Sequence, residues 1–150
     1  MPVVDMLKTS NEGNVIFYDI EASVGRSGAN RRGDVLLVQF LLITALKNEL
    51  FKDAGAAPVQ ANGVPDQPTM DAILLFQKQL RKQGRAYAVV DGRFDPVGEH
   101  AKTPSGAQYA MITLNMAFDS IRPDSLKNLA GLKDCPAELK PLLTLKFITA

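Results

Sequence analysis

The chain is poor in the side chains that usually carry chemistry. Its 150 residues include one histidine, His100, one cysteine, Cys135, and no tryptophan. A single thiol excludes an internal disulfide framework and any zinc site built from several cysteines. Cys135, with no motif around it, reads as a small buried apolar residue. His100 lies beside Glu99 and Lys102 in a Gly/Pro-rich stretch without a second histidine. It lacks the partners of a metal ligand or catalytic base and reads as a loop residue. Net charge is also small: 17 Lys+Arg against 16 Asp+Glu leave +1, so no global field draws the chain to nucleic acid or to an anionic membrane. Long apolar runs are missing. Val35 to Leu46 is the greasiest stretch, and it is too short to cross a bilayer and is interrupted by Gln39 and Thr44. The first ten residues show no basic segment followed by an apolar one, hence no secretory signal. The expectation is a chain without membrane insertion, cytoplasmic as synthesised, with any export by a signal-independent route.

Other familiar chemistries are absent too. Gly25 to Gly33 holds three glycines but no Gly-Lys-Ser/Thr, so a phosphate loop is unsupported. Asp91 and Asp95 lack the further oxygen ligands of a calcium loop and read as turn and helix-cap residues. Glu99 and Asp119 are too loosely placed for a glycosidase pair. Arg26/Arg31/Arg32 and Lys78/Arg81/Lys82/Arg85 read as solvated faces. The sequence therefore predicts no catalytic residue, no metal site and no cofactor, and the expectation is that the chain is not an enzyme.

What is present is an ordinary globular composition, 46% hydrophobic and 22% charged, enough for one domain over residues 1–150. Residues 14–20, β-branched and aromatic, predict a strand, and the Gly/Ser/Asn/Arg-rich 21–32 a turn and mobile loop. Asp34 is a candidate N-cap for a helix from Val35 to Lys52, apolar on most faces near its start and so expected to be covered on more than one side. Thr69 is a candidate N-cap for a second helix with Ala72, Ile73, Phe76 and Leu80 on its inner face. A third, beginning at Pro104 or Ser105 and ended by Pro123, would turn Ala107, Ala110, Met111, Leu114 and Phe118 inward. Asp124–Leu129 and Pro136–Leu143 predict short helices. Residues 143–149 alternate as a strand that could pair with 14–20.

Two segments repeat one pattern: Asn62-Gly63-Val64-Pro65-Asp66-Gln67-Pro68-Thr69 and Asp91-Gly92-Arg93-Phe94-Asp95-Pro96-Val97-Gly98. Each has a turn dipeptide, then an apolar residue, an Asp and a Pro-containing lead-in; the second has Gly98 where the first has Thr69. With Asp34, Val35, Val38, Gln39 and Leu42 upstream, and Thr69, Ala72, Ile73, Phe76 and Gln77 between, the order and spacing resemble the peptidoglycan-binding-domain-like family of three-helix modules. The resemblance covers about residues 32–120. It implies a mainly α fold with that three-helix core and a small added β element from 14–20 and 143–149. It also implies that Gln39 and Gln77 tie helix to loop through buried amide hydrogen bonds and meet at a common junction. Members of the family are chiefly non-catalytic targeting modules that hold peptidoglycan. The implied ligand is then a cell-wall stem peptide or glycan, bound in a shallow groove by Gln39, Tyr87, Arg93 and Tyr109. Aromatic faces and guanidinium groups suit sugar rings and peptide carboxylates. Phe94 and Tyr109 read as core residues first and as ligand contacts second. The alternative is an adaptor that reuses the fold to contact a protein partner in a bacterial secretion or phage-like assembly.

Overall fold

A computed structural model of the chain describes residues 3–9, 13–51, 58–83, 89–98 and 110–143. The β-branched run does form a strand, β2 (Gly13–Asp19), but it pairs with β1 (Val3–Thr9) in an antiparallel hairpin, Val3 opposite Asp19 and Thr9 opposite Gly13. The expected partner is the segment 143–149. Leu143 is not in a strand, and residues 144–150 lie outside the described residues. At Tyr18 a side chain stands in for a strand: Tyr18 N–H donates to Asn115 Oδ1 at 2.7 Å, and Asn115 Nδ2 donates to the Tyr18 carbonyl at 2.9 Å and to that of Met111 at 2.8 Å. One buried amide thus satisfies both backbone groups of Tyr18 and joins β2 to a helix.

That helix is α3 (Ala110–Ile121). Met111, Leu114 and Phe118 are buried as expected, together with Ile112, Thr113 and Asn115. Ala110 is half-buried; Ala107 and the expected helix start lie outside the described residues. On the other side of α3 lies α1 (Arg32–Ala45), where every residue from Asp34 to Leu42 is buried. A helix apolar nearly all round needs neighbours nearly all round, and α1 also meets α2 (Gln67–Lys82) and β3 (Val24–Gly25). It ends earlier than expected. After Ala45 the bonds shorten to i→i−3, Lys47 N–H to Thr44 O and Asn48 N–H to Ala45 O. A 3-10 turn at Glu49–Phe51 then brings Phe51 over Phe76 of α2, stacked with centroids 5.1 Å apart. Phe76 continues to Phe94 at 5.8 Å, so three rings bridge the second and third segments of the core.

Both helix starts differ from expectation in one respect. Arg31, extended and without a side-chain capping bond, precedes α1, while Asp34 lies inside the first turn, wholly buried. Its carboxylate accepts the backbone N–H groups of Glu21 and Ala22, both at 3.1 Å, so it anchors the loop leaving β2 to the positive end of α1. In α2 the cap is Asp66, and Thr69 sits three residues in. Beyond α3, the chain runs through 3-10 segments at Ser125–Gly131 and Lys140–Leu142 instead of regular short helices. Leu126, Leu129, Leu139 and Cys135 of this stretch are buried, and burial raises the Cys135 thiol pKa. A protonated thiol in that setting is a packing group.

The Tyr18 hydroxyl locks this C-terminal stretch, donating to Leu126 O at 2.8 Å and accepting from Leu129 N–H at 3.2 Å. Tyr18→Phe keeps the ring and orphans both backbone groups, so urea unfolding should show a loss of about 1–2 kcal/mol.

The segment 21–32 is a built loop. Val24–Gly25 pairs antiparallel with β4 (Arg93–Phe94). Asn30 holds the return: Gly25 N–H donates to its Oδ1 at 2.7 Å, and its Nδ2 donates to the carbonyls of Gly25 and Gly28, both at 3.0 Å. The described fold is therefore mostly helical with small two-stranded antiparallel sheets. Among the described residues no helix is long and apolar enough to cross a membrane.

Candidate binding groove

The two sequence repeats share one construction. Gln39 points from α1 into the first turn, where its Oε1 accepts from Asn62 N–H (3.1 Å) and Gly63 N–H (2.8 Å). Its Nε2 donates to Asn62 Oδ1 (3.0 Å), the Val64 carbonyl (2.8 Å) and Thr69 Oγ1 (2.9 Å). Gln77 does the same from α2: Oε1 accepts from Asp91 N–H (3.2 Å) and Gly92 N–H (2.7 Å), and Nε2 donates to Asp91 Oδ1 (3.1 Å) and the Arg93 carbonyl (2.8 Å). In both turns the leading Asn or Asp also accepts the N–H two residues on, Val64 or Arg93. Gly63 and Gly92 have φ of +74° and +73°, the left-handed region where glycine costs least. The tie from helix to loop is as expected. The two amides share no hydrogen-bond partner; each serves its own turn.

The repeats diverge after the turn. Asp66 Oδ1 accepts Thr69 N–H at 3.1 Å and the Thr69 hydroxyl at 2.6 Å, closing the start of α2. Hydrogen bonds from Thr69 and then Asn62 lower its pKa below the ordinary 3.8. A lowered carboxylate contributes stability above its unfolded-state pKa, and that stability is lost as pH falls through the folded value. Asp66→Ala should therefore cost about 1 kcal/mol at neutral pH, and the gap to the parent should narrow in melts below pH 4. At the corresponding place Asp95 caps no helix. It takes Ser23 Oγ at 2.6 Å and Arg93 Nε at 2.7 Å, while Asp19 accepts Val97 N–H (3.0 Å) and Gly98 N–H (3.1 Å). A carboxylate from β2 thus captures the amides that would otherwise start a helix.

Beside the second turn is an open groove of about 370 Å³. Arg26 and Ser27 form one wall, held to the turn by Arg26 N–H donating to the Gly92 carbonyl at 2.9 Å. The first half of α2 forms the other, with Gln67, Met70, Asp71 and Leu74, and Val90–Gly92 closes the end. Met70, Leu74 and Val90 make an apolar, half-buried floor; Arg26, Ser27, Gln67 and Asp71 are exposed at its rim. Gln67 Nε2 donates to Asp71 Oδ1 at 2.8 Å, which leaves the other Asp71 oxygen for the groove. Arg26 forms no ion pair among the described residues.

The expected ligand residues fare differently from one another. Gln39 is wholly buried and engaged by its own turn, so it is a strut. Arg93 is partly exposed but lies outside the groove lining, its guanidinium held by Asp95 at 2.7 Å and 4.0 Å from Asp91; Asp95 above all raises its pKa. Tyr87, Tyr109 and His100 lie outside the described residues. Phe94 is fully buried core. Arg26 was visible in the sequence only as part of a basic cluster, and Asp71 stands 45 positions further on with no local pattern linking the two. Among the described residues no group of three or more His, Cys, Asp or Glu is placed to hold a metal ion.

In comparisons with protein-family models, curated proteins and solved structures, nothing matches this chain. Fold and groove define a mainly α protein in which two similar glycine turns, each bonded by a buried glutamine, join successive segments of the core.

Proposed function

We propose that the chain is a non-catalytic binding module of the peptidoglycan-binding-domain-like kind, holding a cell-wall stem peptide or glycan in the groove beside the second glycine turn. The observation that carries this reading is the groove itself, with charged and amide groups at the rim above Met70, Leu74 and Val90. Such a mixed surface suits a ligand with polar substituents on a partly apolar frame. Further support comes from Gln39 and Gln77, whose tie of helix to glycine turn is what the family resemblance leads one to expect. In place of the buried Gln39, the reading assigns Arg26, Ser27, Gln67 and Asp71 to the ligand. The test is co-sedimentation with insoluble murein sacculi. The protein is expected in the pellet, with Arg26→Ala weakening retention. Protein left wholly in the supernatant, together with a single stoichiometric protein captured from lysate, would select the adaptor reading instead.

A further inference from the structure

Arg26 and Asp71 face the same groove with opposite charge, yet no salt bridge joins them. A simple anion there would meet Asp71 and Asp91 as well as the guanidinium, and a simple cation would meet Arg26. A ligand group carrying both signs meets neither penalty. We infer that the groove recognises the zwitterionic end of a diamino-acid side chain, its carboxylate on Arg26 and the Ser27 hydroxyl, its ammonium on the free oxygen of Asp71. This deepens the wall-peptide reading and rests on it for the identity of the ligand.

The placement of the groups supports the assignment. Arg26 offers a planar fork that matches a carboxylate. Its backbone is fixed to Gly92, so the guanidinium is presented from a braced loop. Asp71 is oriented by Gln67 Nε2, which occupies Oδ1 and leaves Oδ2 as acceptor. Asp91 is the weaker candidate for the ammonium, since Oδ1 accepts from Gln77 and Arg93 N–H and Oδ2 stands 4.0 Å from the Arg93 guanidinium. The apolar floor of Met70, Leu74 and Val90 takes the methylene chain that leads to such an end.

The experiment is a backbone-amide NMR titration of the full chain with three soluble tripeptides, L-Ala-γ-D-Glu followed by meso-diaminopimelate, by L-lysine, or by L-2-aminopimelate. The lysine probe lacks the distal carboxylate and the aminopimelate probe lacks the distal ammonium. The Ser27, Asp71 and Gly92 amides are expected to shift, with the diaminopimelate probe bound about tenfold tighter than either analogue, the worth of one charge-assisted bond. Arg26→Gln should abolish the preference over lysine only, and Asp71→Asn the preference over aminopimelate only. Equal affinity for the three probes, or amides that do not move, would overturn the inference. Sacculi that pellet the protein while the probes bind alike would leave the wall reading standing and remove this one. Discrimination among probes without pelleting would do the reverse.

Discussion

Gln39→Leu is expected to lower the unfolding free energy by about 2–4 kcal/mol, read as a shift of the urea midpoint at unchanged slope. The replacement has similar volume, so the loss is electrostatic in origin. Gly63 N–H is buried and loses its acceptor, whereas Asn62 N–H keeps the Gln60 carbonyl and the Val64 carbonyl keeps Asp66 N–H. Each orphaned buried group costs about 1–3 kcal/mol. Asn62 Oδ1, which keeps Val64 N–H, and Thr69 Oγ1, which keeps Asp66, soften the effect further. Gln77→Leu should cost at least as much, since buried Gly92 N–H loses its acceptor and Asp91 N–H and the Arg93 carbonyl lose the Gln77 amide as well. Gln39→Glu is the sharper variant. Its second oxygen would face Asn62 Oδ1, the Val64 carbonyl and Thr69 Oγ1. Protonation turns that oxygen back into a donor, so this variant alone should recover stability relative to the parent as pH falls. A Gln39→Leu loss below about 1 kcal/mol, the scale of one ordinary hydrogen bond, would show that the turn holds its shape without the amide.

Side-chain periodicity and turn chemistry made much of this fold legible. The inward face Ala72, Ile73, Phe76 and Leu80 and the burial of α1 on several sides follow from apolar spacing, which responds to the whole core. The two glycine turns follow from residue types that tolerate positive φ. What failed was the assignment of polar side chains that can serve in more than one way. Asp34 and Thr69 are both good caps by type, but Asp34 found the amides of Glu21 and Ala22, and Thr69 found Gln39 while Asp66 reached over it to close the helix. Pro68 in the first turn was the local clue to that register, since proline belongs near a helix start. The strand Val24–Gly25 is too short to carry a period, and Asn115 standing in for a strand at Tyr18 has no sequence signature at all. The groove is harder still. Its walls come from residues 26–27, 67–74 and 90–92, set side by side by tertiary contacts such as the β3–β4 pairing, the Arg26–Gly92 backbone bond and the Gln77 tie.

Gly25→Ala should be at least as damaging as Gln39→Leu and should act on the groove directly. At Gly25 φ is +119°, and a Cβ there would lie 2.3 Å from the Gly92 carbonyl oxygen and 2.9 Å from Arg93 Cα. Both neighbours are backbone, so no side chain can swing aside. The methyl group must separate β3 from β4, which breaks the Val24–Phe94 pairing and pulls Arg26 N–H away from Gly92. The expected loss is about 3 kcal/mol or more, with the amides of Arg26, Ser27 and Gly92 displaced in the NMR spectrum of whatever folded protein remains. Gly92→Ala separates strain from collision. Its φ of +73° is equally left-handed, but the nearest atom to an added Cβ is Arg26 Cβ at 3.6 Å, ordinary contact. That variant should cost only the left-handed penalty of about 1–2 kcal/mol and keep the loop in place. If the two alanine variants melt together, the close approach of β3 to the second turn is not what positions Arg26. The groove wall would then have to be held by Asn30, whose side chain closes the loop on Gly25 and Gly28.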